Sequence, residues 1–330
     1  MILRSEFKPA PGFGNRHWQT LLPALGLVET PNPPTRREIL PLPDGDSLAL
    51  DWLAKDASPD APLLVILHGL EGSSESSYAK GLIAEAASRH WQAVVMNFRD
   101  CGDHRNRLSR RYHAGETGDI EFLASELRTR LPNAPMFYAG FSLGANVLLK
   151  HLGESADEAR CIAAVGVSVP FELQMASDSI SKGFSKLYQW HLMRNMKKAL
   201  RRKFDPMTAP FDFDAAMKTS TFEAFDDLVT APLHGFDGKD DYYSSSSSRQ
   251  YLKSISRPTL VIHAEDDPFM NTDMIPTAKE LSSSVVLELS DKGGHVGFIE
   301  GDAPWRLHYW LPKRIAHFLN VQYENGLRSR

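Results

Sequence analysis

The sequence predicts an α/β fold with a mostly parallel central sheet that is flanked by helices. Short, continuous apolar runs alternate with amphipathic stretches from about residue 62 onward. Such apolar runs are typical of strands that are buried on both faces of a parallel sheet. Because these runs alternate with predicted helices, the connections favour parallel strands that are covered on both sides.

The predicted elements follow one another in chain order. A hairpin comes first, because residues 37–42 and 47–53 flank the turn sequence Pro43-Asp44-Gly45-Asp46. Core strands are predicted at residues 63–67, 93–98, 136–139, 162–167, 259–262 and 285–289. Helices are predicted near residues 76–90, 117–131, 143–153, 273–282 and 305–319.

One segment interrupts this alternation. From residue 171 to about 256 the chain shows helical patterns and many aromatic residues but no strong buried strand. We therefore expect a helical cap, inserted between late core strands. The chain then has a first core part with an N-terminal extension at 1–170, the cap at 171–256 and a second core part at 257–330. Large cap side chains either line an apolar acyl pocket or form ordinary core: Phe184, Tyr188, Trp190, Met193 and Met196.

Composition excludes several classes of protein. A formal net charge of -4, with 42% hydrophobic and 24% charged residues, is ordinary for a globular enzyme and gives no sign of nucleic-acid binding. The N-terminus lacks the apolar core of a signal peptide, and no window approaches a membrane span, so a cytoplasmic location is expected. Cys101 and Cys161 are expected to pack as small apolar groups without a disulfide. The histidines lack metal-ligand spacing, so neither a metal nor another cofactor is expected.

The stretch Gly140-Phe141-Ser142-Leu143-Gly144 is a G-x-S-x-G motif between a predicted strand and a predicted helix. That context is typical of the nucleophile elbow of an α/β-hydrolase fold, in which the serine stands at the carboxyl edge of the sheet. The two glycines allow the sharp turn to pack closely. The motif therefore predicts that Ser142 is a nucleophile.

A serine nucleophile requires a base and an acid that orients the base. In this fold the chain order is serine, then the acid, then histidine. Asp266 and Asp267 follow one predicted strand, and His295 follows the last one within a glycine-rich loop. We therefore expect His295 to be the base. Asp267 is the preferred acid, because the usual Gly-x-x-Asp loop after this strand places Ala264 at the glycine position and Asp267 at the acid position; Asp266 is the alternative.

An oxyanion hole requires two backbone N–H groups that point at the developing negative charge. The residue after the nucleophile, Leu143, supplies one of them. The loop His68-Gly69-Leu70-Glu71-Gly72 follows an apolar strand, and its glycines let the backbone approach a substrate. The Leu70 amide is therefore the second predicted donor.

With these residues in place, the chain resembles the YheT-like branch of the α/β-hydrolases, a branch of esterases. The resemblance covers nearly the whole chain and rests on GNRHWQTLLP at 14–23, HGLEG at 68–72, NFR at 97–99, YHAGET at 112–117, FDDL at 225–228, DDPF at 266–269 and GGHVGF at 293–298. It implies that Ser142, Asp267 and His295 form a charge-relay triad. Two residues depart from the branch: Asp100 stands where glycine is frequent, and Ala114 where serine is frequent. Both concern the pocket and not the triad.

The expected function is hydrolysis of carboxylic esters, of short to medium chain length or from lipids, through an acyl-enzyme intermediate. The alternatives are an acyltransferase that moves the acyl group to an alcohol, and a non-catalytic binding protein on a hydrolase fold. The basic run at 197–203 is either a solvated helix face or a weak contact with an anionic membrane surface. The motif at 15–23 either packs against the sheet or cap, or forms the edge of a pocket.

Overall fold

A computed structural model describes residues 1–328 of the 330-residue chain; residues 329 and 330, the end of the predicted second core part, lie outside it. The strands are β1 Ile2–Arg4, β2 Thr35–Pro41, β3 Ser47–Leu53, β4 Leu63–Leu67, β5 Gln92–Asn97, β6 Met136–Phe141, β7 Ala163–Val167, β8 Thr259–Ala264, β9 Val285–Ser290, β10 Ile299–Glu300 and β11 His308–Tyr309. The α-helices are α1 Arg16–Ala24, α2 Ser77–Ser88, α3 Gly118–Arg130, α4 Leu143–Ser155, α5 Leu173–Ile180, α6 Ser185–Lys203, α7 Phe213–Lys218, α8 Phe222–Phe225, α9 Ala231–His234, α10 Lys239–Ser246 and α11 Leu311–Arg328.

Nine of the strands form one sheet, in the order β1-β9-β8-β7-β6-β4-β5-β3-β2. Within this sheet, each neighbouring pair from β1 across to β5 is parallel, and only the β5–β3 and β3–β2 pairs are antiparallel. Strands β10 and β11 form a separate antiparallel pair. The prediction of a mostly parallel sheet is confirmed. The predicted hairpin is also confirmed, since β2 and β3 pair directly across the turn at 43–46.

The central strands are apolar on both faces because helices cover both. In β4, Leu63, Val65 and Leu67 belong to the cluster beneath α3 and α4, whereas Leu64 and Ile66 belong to the cluster beneath α2 and α11. All five side chains are completely buried. Successive side chains of a strand point to opposite faces, so an uninterrupted apolar run requires two covering layers.

Two of the predicted helices are wrong in part. Residues 272–280 form two short 3₁₀ turns in place of one helix at 273–282. Pro276 explains this break, because proline disfavours the helical conformation of the residue before it. The helix predicted at 305–319 begins only at Leu311, where Pro312 occupies its first turn, and residues 308–309 form a short strand instead.

Between β7 and β8, the regular elements of the described chain are all helical, from α5 to a 3₁₀ segment that ends at Ser254. We call residues 173–254 the helical segment. It has an apolar cluster of its own, which includes Met193, Met196 and Phe225. Leu70, from the loop after β4, packs against this cluster. The helical segment therefore lies over the carboxyl ends of the strands.

Candidate active site

Ser142 lies between the end of β6 and the start of α4, at the carboxyl edge of the sheet. Its φ is 51°, in the left-handed region that a residue with a side chain seldom adopts. A Cβ at Gly140 would lie 2.6 Å from the Gly144 carbonyl oxygen, and one at Gly144 would lie 2.3 Å from the His68 carbonyl oxygen. The turn is thus so close-packed that both flanking positions exclude any side chain.

His295 is carried by the loop after β9. Its Nε2 lies 2.9 Å from the Ser142 hydroxyl oxygen, within hydrogen-bond distance. The ring of Phe269 stacks on the imidazole, with 3.9 Å between ring centroids and 9° between ring planes. Val296 donates its amide to the Ser168 hydroxyl over 3.0 Å, which ties the loop to the end of β7. The imidazole is therefore held both by its ring face and by its loop.

Asp267 is fully buried and approaches the other side of the same ring. Its Oδ2 lies 2.8 Å from His295 Nδ1, and its Oδ1 accepts the Phe269 amide over 2.8 Å. Because a carboxylate can only accept, Nδ1 is the protonated nitrogen and Nε2 is free to accept from the serine hydroxyl. Ser142, His295 and Asp267 are thus joined in one hydrogen-bonded chain.

Asp266 lies beside this chain of hydrogen bonds without touching the imidazole. It accepts the Gly294 amide over 3.0 Å, and its other oxygen lies 4.0 Å from Lys292 Nζ. Burial raises the pKa of Asp266, partly offset by the hydrogen bond from Gly294. The side chain therefore supports the loop that carries His295, while Asp267 makes the contact with its ring.

The loop at 68–72 is held by hydrogen bonds on both sides of Leu70. Gly69 donates its amide to the Tyr78 hydroxyl over 2.8 Å, and Glu71 donates its amide to the Tyr112 hydroxyl over 2.7 Å. His68 accepts the Phe98 amide through Nε2, and burial lowers the pKa of His68 to about 4, so the ring is neutral.

Between these fixed points, the Leu70 amide has no acceptor among residues 1–328, and the same holds for the Leu143 amide. A Cβ on Gly69 would lie 3.4 Å from the Ser142 Cβ, so the loop lies directly beside the serine. One unused backbone donor thus follows Ser142 in the chain, and the other belongs to the loop beside it. Such a pair is able to bind the oxyanion of a tetrahedral intermediate.

The N-terminal motif at 15–23 forms α1 and contacts the loop that carries His295, a contact that the sequence analysis missed. Thr20 accepts the His295 amide through Oγ1 over 3.0 Å and donates to the Arg16 carbonyl. Gln19 is completely buried and both accepts from and donates to the backbone of Ile299. A Cβ at Gly297 would lie 2.1 Å from the Gln19 carbonyl oxygen. Both polar side chains are buried, although no local pattern in the sequence indicates which distant residues they contact.

The large side chains expected to line an acyl pocket have different surroundings. Met193 and Met196 are buried in the cluster of the helical segment. Tyr188 lies 5.1 Å from Phe269, between ring centroids, and is close to the site. Phe184 and Trp190 are 52% and 57% exposed, so much of each side chain faces solvent.

The backbone conformation and the contacts of Asp100 explain why an aspartate fits at a position where glycine is frequent. Its φ is 64°, the left-handed conformation that glycine adopts freely and aspartate tolerates better than most residues. Its carboxylate lies 2.8 Å from Lys203 Nζ, and its carbonyl accepts from Arg202 over 2.9 Å. The residue therefore links α6 to the sheet. Ala114 is buried, and nothing in the structure explains its replacement of serine.

A cavity of about 370 Å³ opens between α6 and the loops after β4 and β5. Charged side chains from both sides line it, among them Arg37, Glu71, Asp100, Lys198 and Arg202. This lining suits a polar group better than an acyl chain. Among residues 1–328, no cluster of three or more His, Cys, Asp and Glu side chains is arranged to hold a metal ion.

Comparison with known families and proteins gives consistent matches. The family model described as the alpha/beta hydrolase fold matches residues 62–302. The chain is 41% identical over 325 residues to the protein named "Putative esterase YheT" from Escherichia coli (strain K12), covering 97% of this chain and 94% of that protein. It is 30% identical to the phospholipase ABHD3 of Mus musculus, over 98% of this chain and 80% of that protein.

Two further similarities concern a lipase and a solved structure. A monoacylglycerol lipase of Saccharomyces cerevisiae is 32% identical over 278 residues, which cover 81% of this chain and 61% of the lipase. Among solved structures, the Pyrococcus furiosus esterase Pf2001 superposes with a TM-score of 0.59 at 16% identity, covering 88% of this chain and 92% of that one. The similarity to the Pyrococcus furiosus structure concerns the fold alone.

Proposed function

Because this chain belongs to the alpha/beta hydrolase fold family, and within it to the YheT-like esterases, we propose that it is a serine esterase acting through Ser142, His295 and Asp267. The observation that carries the proposal is the continuous hydrogen-bonded chain from the Ser142 hydroxyl through His295 to Asp267. Such an arrangement activates a serine hydroxyl in unrelated folds. A protein that only binds ligands has no use for it.

In the first half of the reaction, His295 Nε2 takes the hydroxyl proton as the Ser142 oxygen attacks the ester carbonyl carbon. The carbonyl oxygen becomes negatively charged and accepts from the Leu70 and Leu143 amides, which are the proposed oxyanion hole. The intermediate then collapses: the bond to the leaving alcohol breaks, and the alcohol leaves with the proton from His295. The product is an acyl group on Ser142.

In the second half, His295 takes a proton from water, and the resulting hydroxide oxygen attacks the acyl carbonyl. The same two amides hold the second oxyanion. Collapse returns the proton to Ser142 and releases the carboxylic acid. Asp267 keeps Nδ1 protonated and stabilises the charged imidazole in both halves.

The names of the relatives reported above refer to esterases, lipases and phospholipases. We propose that the substrate is a carboxylic ester of short or medium chain length, or an ester from a lipid. We further propose that the helical segment is the cap of the site, because Leu70 contacts its apolar cluster. Both cysteines are free and buried, in agreement with a proposed cytoplasmic location. No helix within residues 1–328 is long and apolar enough to cross a bilayer.

The test is labelling with a fluorophosphonate, which reacts with activated serines, followed by intact-mass analysis. We expect one adduct on the wild type and none on Ser142→Ala. Ser244 is an exposed serine of α10, and Ser244→Ala should keep the adduct unchanged. Ser142→Ala should also lower turnover of a p-nitrophenyl ester by a factor on the order of 10⁴ or more. An adduct that persists on Ser142→Ala, or a folded wild type without any adduct, would contradict the proposal.

A further inference from the structure

The outer face of α6 exposes three large apolar side chains. Phe184 at its N-cap, Leu187 and Trp190 are 52%, 50% and 57% exposed. Residues three apart share one face of a helix, so these side chains lie in a row. A group of large apolar side chains that faces water marks a contact surface more often than scattered single ones do.

The same helix is strongly basic. Its basic residues are Lys186, Arg194, Lys197, Lys198, Arg201, Arg202 and Lys203, and it carries no acidic residue. Within the run at 197–203, three residues contact the protein itself: Lys197 donates to the Thr219 carbonyl, Arg202 to the Asp100 carbonyl, and Lys203 pairs with the Asp100 carboxylate.

The basic residues left exposed on α6 are Lys186, Arg194, Lys198 and Arg201. Arg194 lies over the ring of Trp190, with 5.8 Å from its guanidinium carbon to the ring centroid. Exposed aromatic and aliphatic residues therefore occupy the first half of α6, and free positive charge continues along the second half.

This face is connected to the proposed active site by ring contacts. Phe184 lies 4.4 Å from His17 of α1, and His17 is followed by Trp18, which is 50% exposed. Tyr188, on the inner side of α6, lies 5.1 Å from Phe269, whose ring stacks on His295. The exposed apolar row is thus separated from the imidazole by only two layers of rings.

We propose that Phe184, Leu187 and Trp190, with the exposed basic residues of α6, form a surface that docks on an anionic lipid bilayer. We call it the docking face. Aromatic and aliphatic side chains insert at the boundary between headgroups and acyl chains, and lysine and arginine contact anionic headgroups. This inference rests on the proposed esterase function, because docking would bring lipid esters to Ser142.

Two contributions to binding follow from this composition. Attraction between basic side chains and anionic headgroups weakens as salt screens it. Insertion of the apolar row does not depend on salt in that way. Binding to anionic vesicles should therefore decrease at high salt but persist in part.

The test is co-sedimentation of the full chain with vesicles of phosphatidylcholine, or of phosphatidylcholine and phosphatidylglycerol at roughly seven parts to three. Both are measured at low salt and at about 0.5 M salt. We expect preferential binding to the anionic vesicles, of which part survives high salt. The double variant Leu187→Ser/Trp190→Ser should lower the bound-to-free ratio about tenfold or more at either salt.

Two matched controls separate the docking face from general surface effects. Trp305→Ser removes another exposed tryptophan, 82% exposed, and should bind as the wild type does. Arg194→Gln/Arg201→Gln should remove most of the preference for anionic vesicles, whereas Lys8→Gln/Lys313→Gln, with the same change of charge elsewhere, should keep it. Equal binding by wild type and Leu187→Ser/Trp190→Ser would overturn the proposal, and so would a wild type that ignores both vesicle types.

Hydrolysis of water-soluble p-nitrophenyl acetate distinguishes this inference from the proposed function. All these variants should hydrolyse it at the wild-type rate, because none of the changed residues belongs to the triad or to the loop at 68–72. Vesicle binding without any ester hydrolysis would contradict the esterase and support the docking face. A dimer that Leu187→Ser/Trp190→Ser dissociates, without vesicle binding by the wild type, would show that a second copy covers the face and would overturn the proposal.

Discussion

The imidazole of His295 contacts a different loop through each of its two nitrogens, and each contact defines a separate role. Asp267 lies at Nδ1 and Ser142 at Nε2, at 2.8 Å and 2.9 Å. Because Asp267 is buried and accepts, it selects the tautomer that leaves Nε2 free. Asp266 accepts only from the backbone of Gly294, so the two neighbouring aspartates support the same loop in different ways.

The two aspartates can be separated by substitution with asparagine. We expect Asp267→Asn to lower kcat for a p-nitrophenyl ester by a factor on the order of 10⁴, because the amide no longer holds Nδ1 protonated. Asp266→Asn retains an oxygen that can accept from Gly294, so the loss should stay below about tenfold. Steady-state kinetics on both variants measures the difference. Small and equal losses would reject Asp267 as the acid of the triad.

The sequence could predict that the candidate site residues come together, because local sequence determines where each of them stands in the fold. A glycine-flanked serine after an apolar run predicts an elbow, and an acid and a histidine after later strands reach the same edge of a parallel sheet. The structure brings Ser142, Asp267 and His295 together, and it leaves the Leu70 and Leu143 amides without an acceptor among residues 1–328. The choice between Asp266 and Asp267 depends on side-chain direction in one turn, which residue type and spacing do not determine.

At the scale of elements, α1 makes contacts that the periodicity of its sequence does not predict. The residues of this helix contact the loop that carries His295 across a separation of 275 residues between Thr20 and His295. No local pattern encodes such a contact, whereas the core strands were predicted because each is apolar within itself. The helix expected at 273–282 is wrong for a local reason, since Pro276 divides it. Prediction therefore succeeded where the cause is local and failed where it is distant or where proline was overlooked.

Thr20 offers a test of the function of α1. We expect Thr20→Ala to lower kcat about tenfold with little change in KM, because the His295 loop loses a hydrogen bond and the imidazole shifts relative to Ser142. Thr20→Ser keeps an oxygen in place and should recover most of the rate. Steady-state kinetics measures both variants.

The control for Thr20 is Thr129→Ala, which removes a hydroxyl that bonds to the backbone of α3, far from the site. It should keep both kcat and KM. A loss of stability in Thr20→Ala without a loss of kcat would show that Thr20 serves only the fold.

At the scale of the whole molecule, the α/β-hydrolase fold that the sequence predicted is confirmed, and a buried ion pair joins its parts. Arg99, 1% exposed in its side chain, donates two hydrogen bonds of 2.7 Å to Asp119 at the start of α3. Asp44 and Asp46, at the turn between β2 and β3, also face its guanidinium. The pair therefore connects the loop after β5, the edge hairpin and a covering helix.

Breaking this pair should destabilise the whole sheet. Arg99→Met leaves the Asp119 carboxylate buried without its partner, so the free energy of unfolding should fall by about 3–5 kcal/mol. Urea denaturation followed by far-UV circular dichroism measures the change.

The double variant Arg99→Met/Asp119→Leu removes the unpaired charge, so the free energy of unfolding should recover in part. Recovery should be incomplete because Asp44 and Asp46 still lack the guanidinium. Arg4→Met removes an exposed arginine that pairs with Glu265, and it should change the free energy of unfolding by less than about 1 kcal/mol. A loss as small in Arg99→Met as in Arg4→Met would contradict the importance of the buried pair.

The separation of Ser142 from His295 along the chain has a consequence for the order of events during synthesis. The two residues are 153 positions apart, and at typical rates of about 5–20 residues per second the ribosome needs roughly 8–30 s to pass from one to the other. Throughout that interval the emerging polypeptide carries Ser142 without the histidine that is proposed as its base. With His295 as the proposed base, ester cleavage requires the loop after β9, so an unfinished chain would not cleave esters.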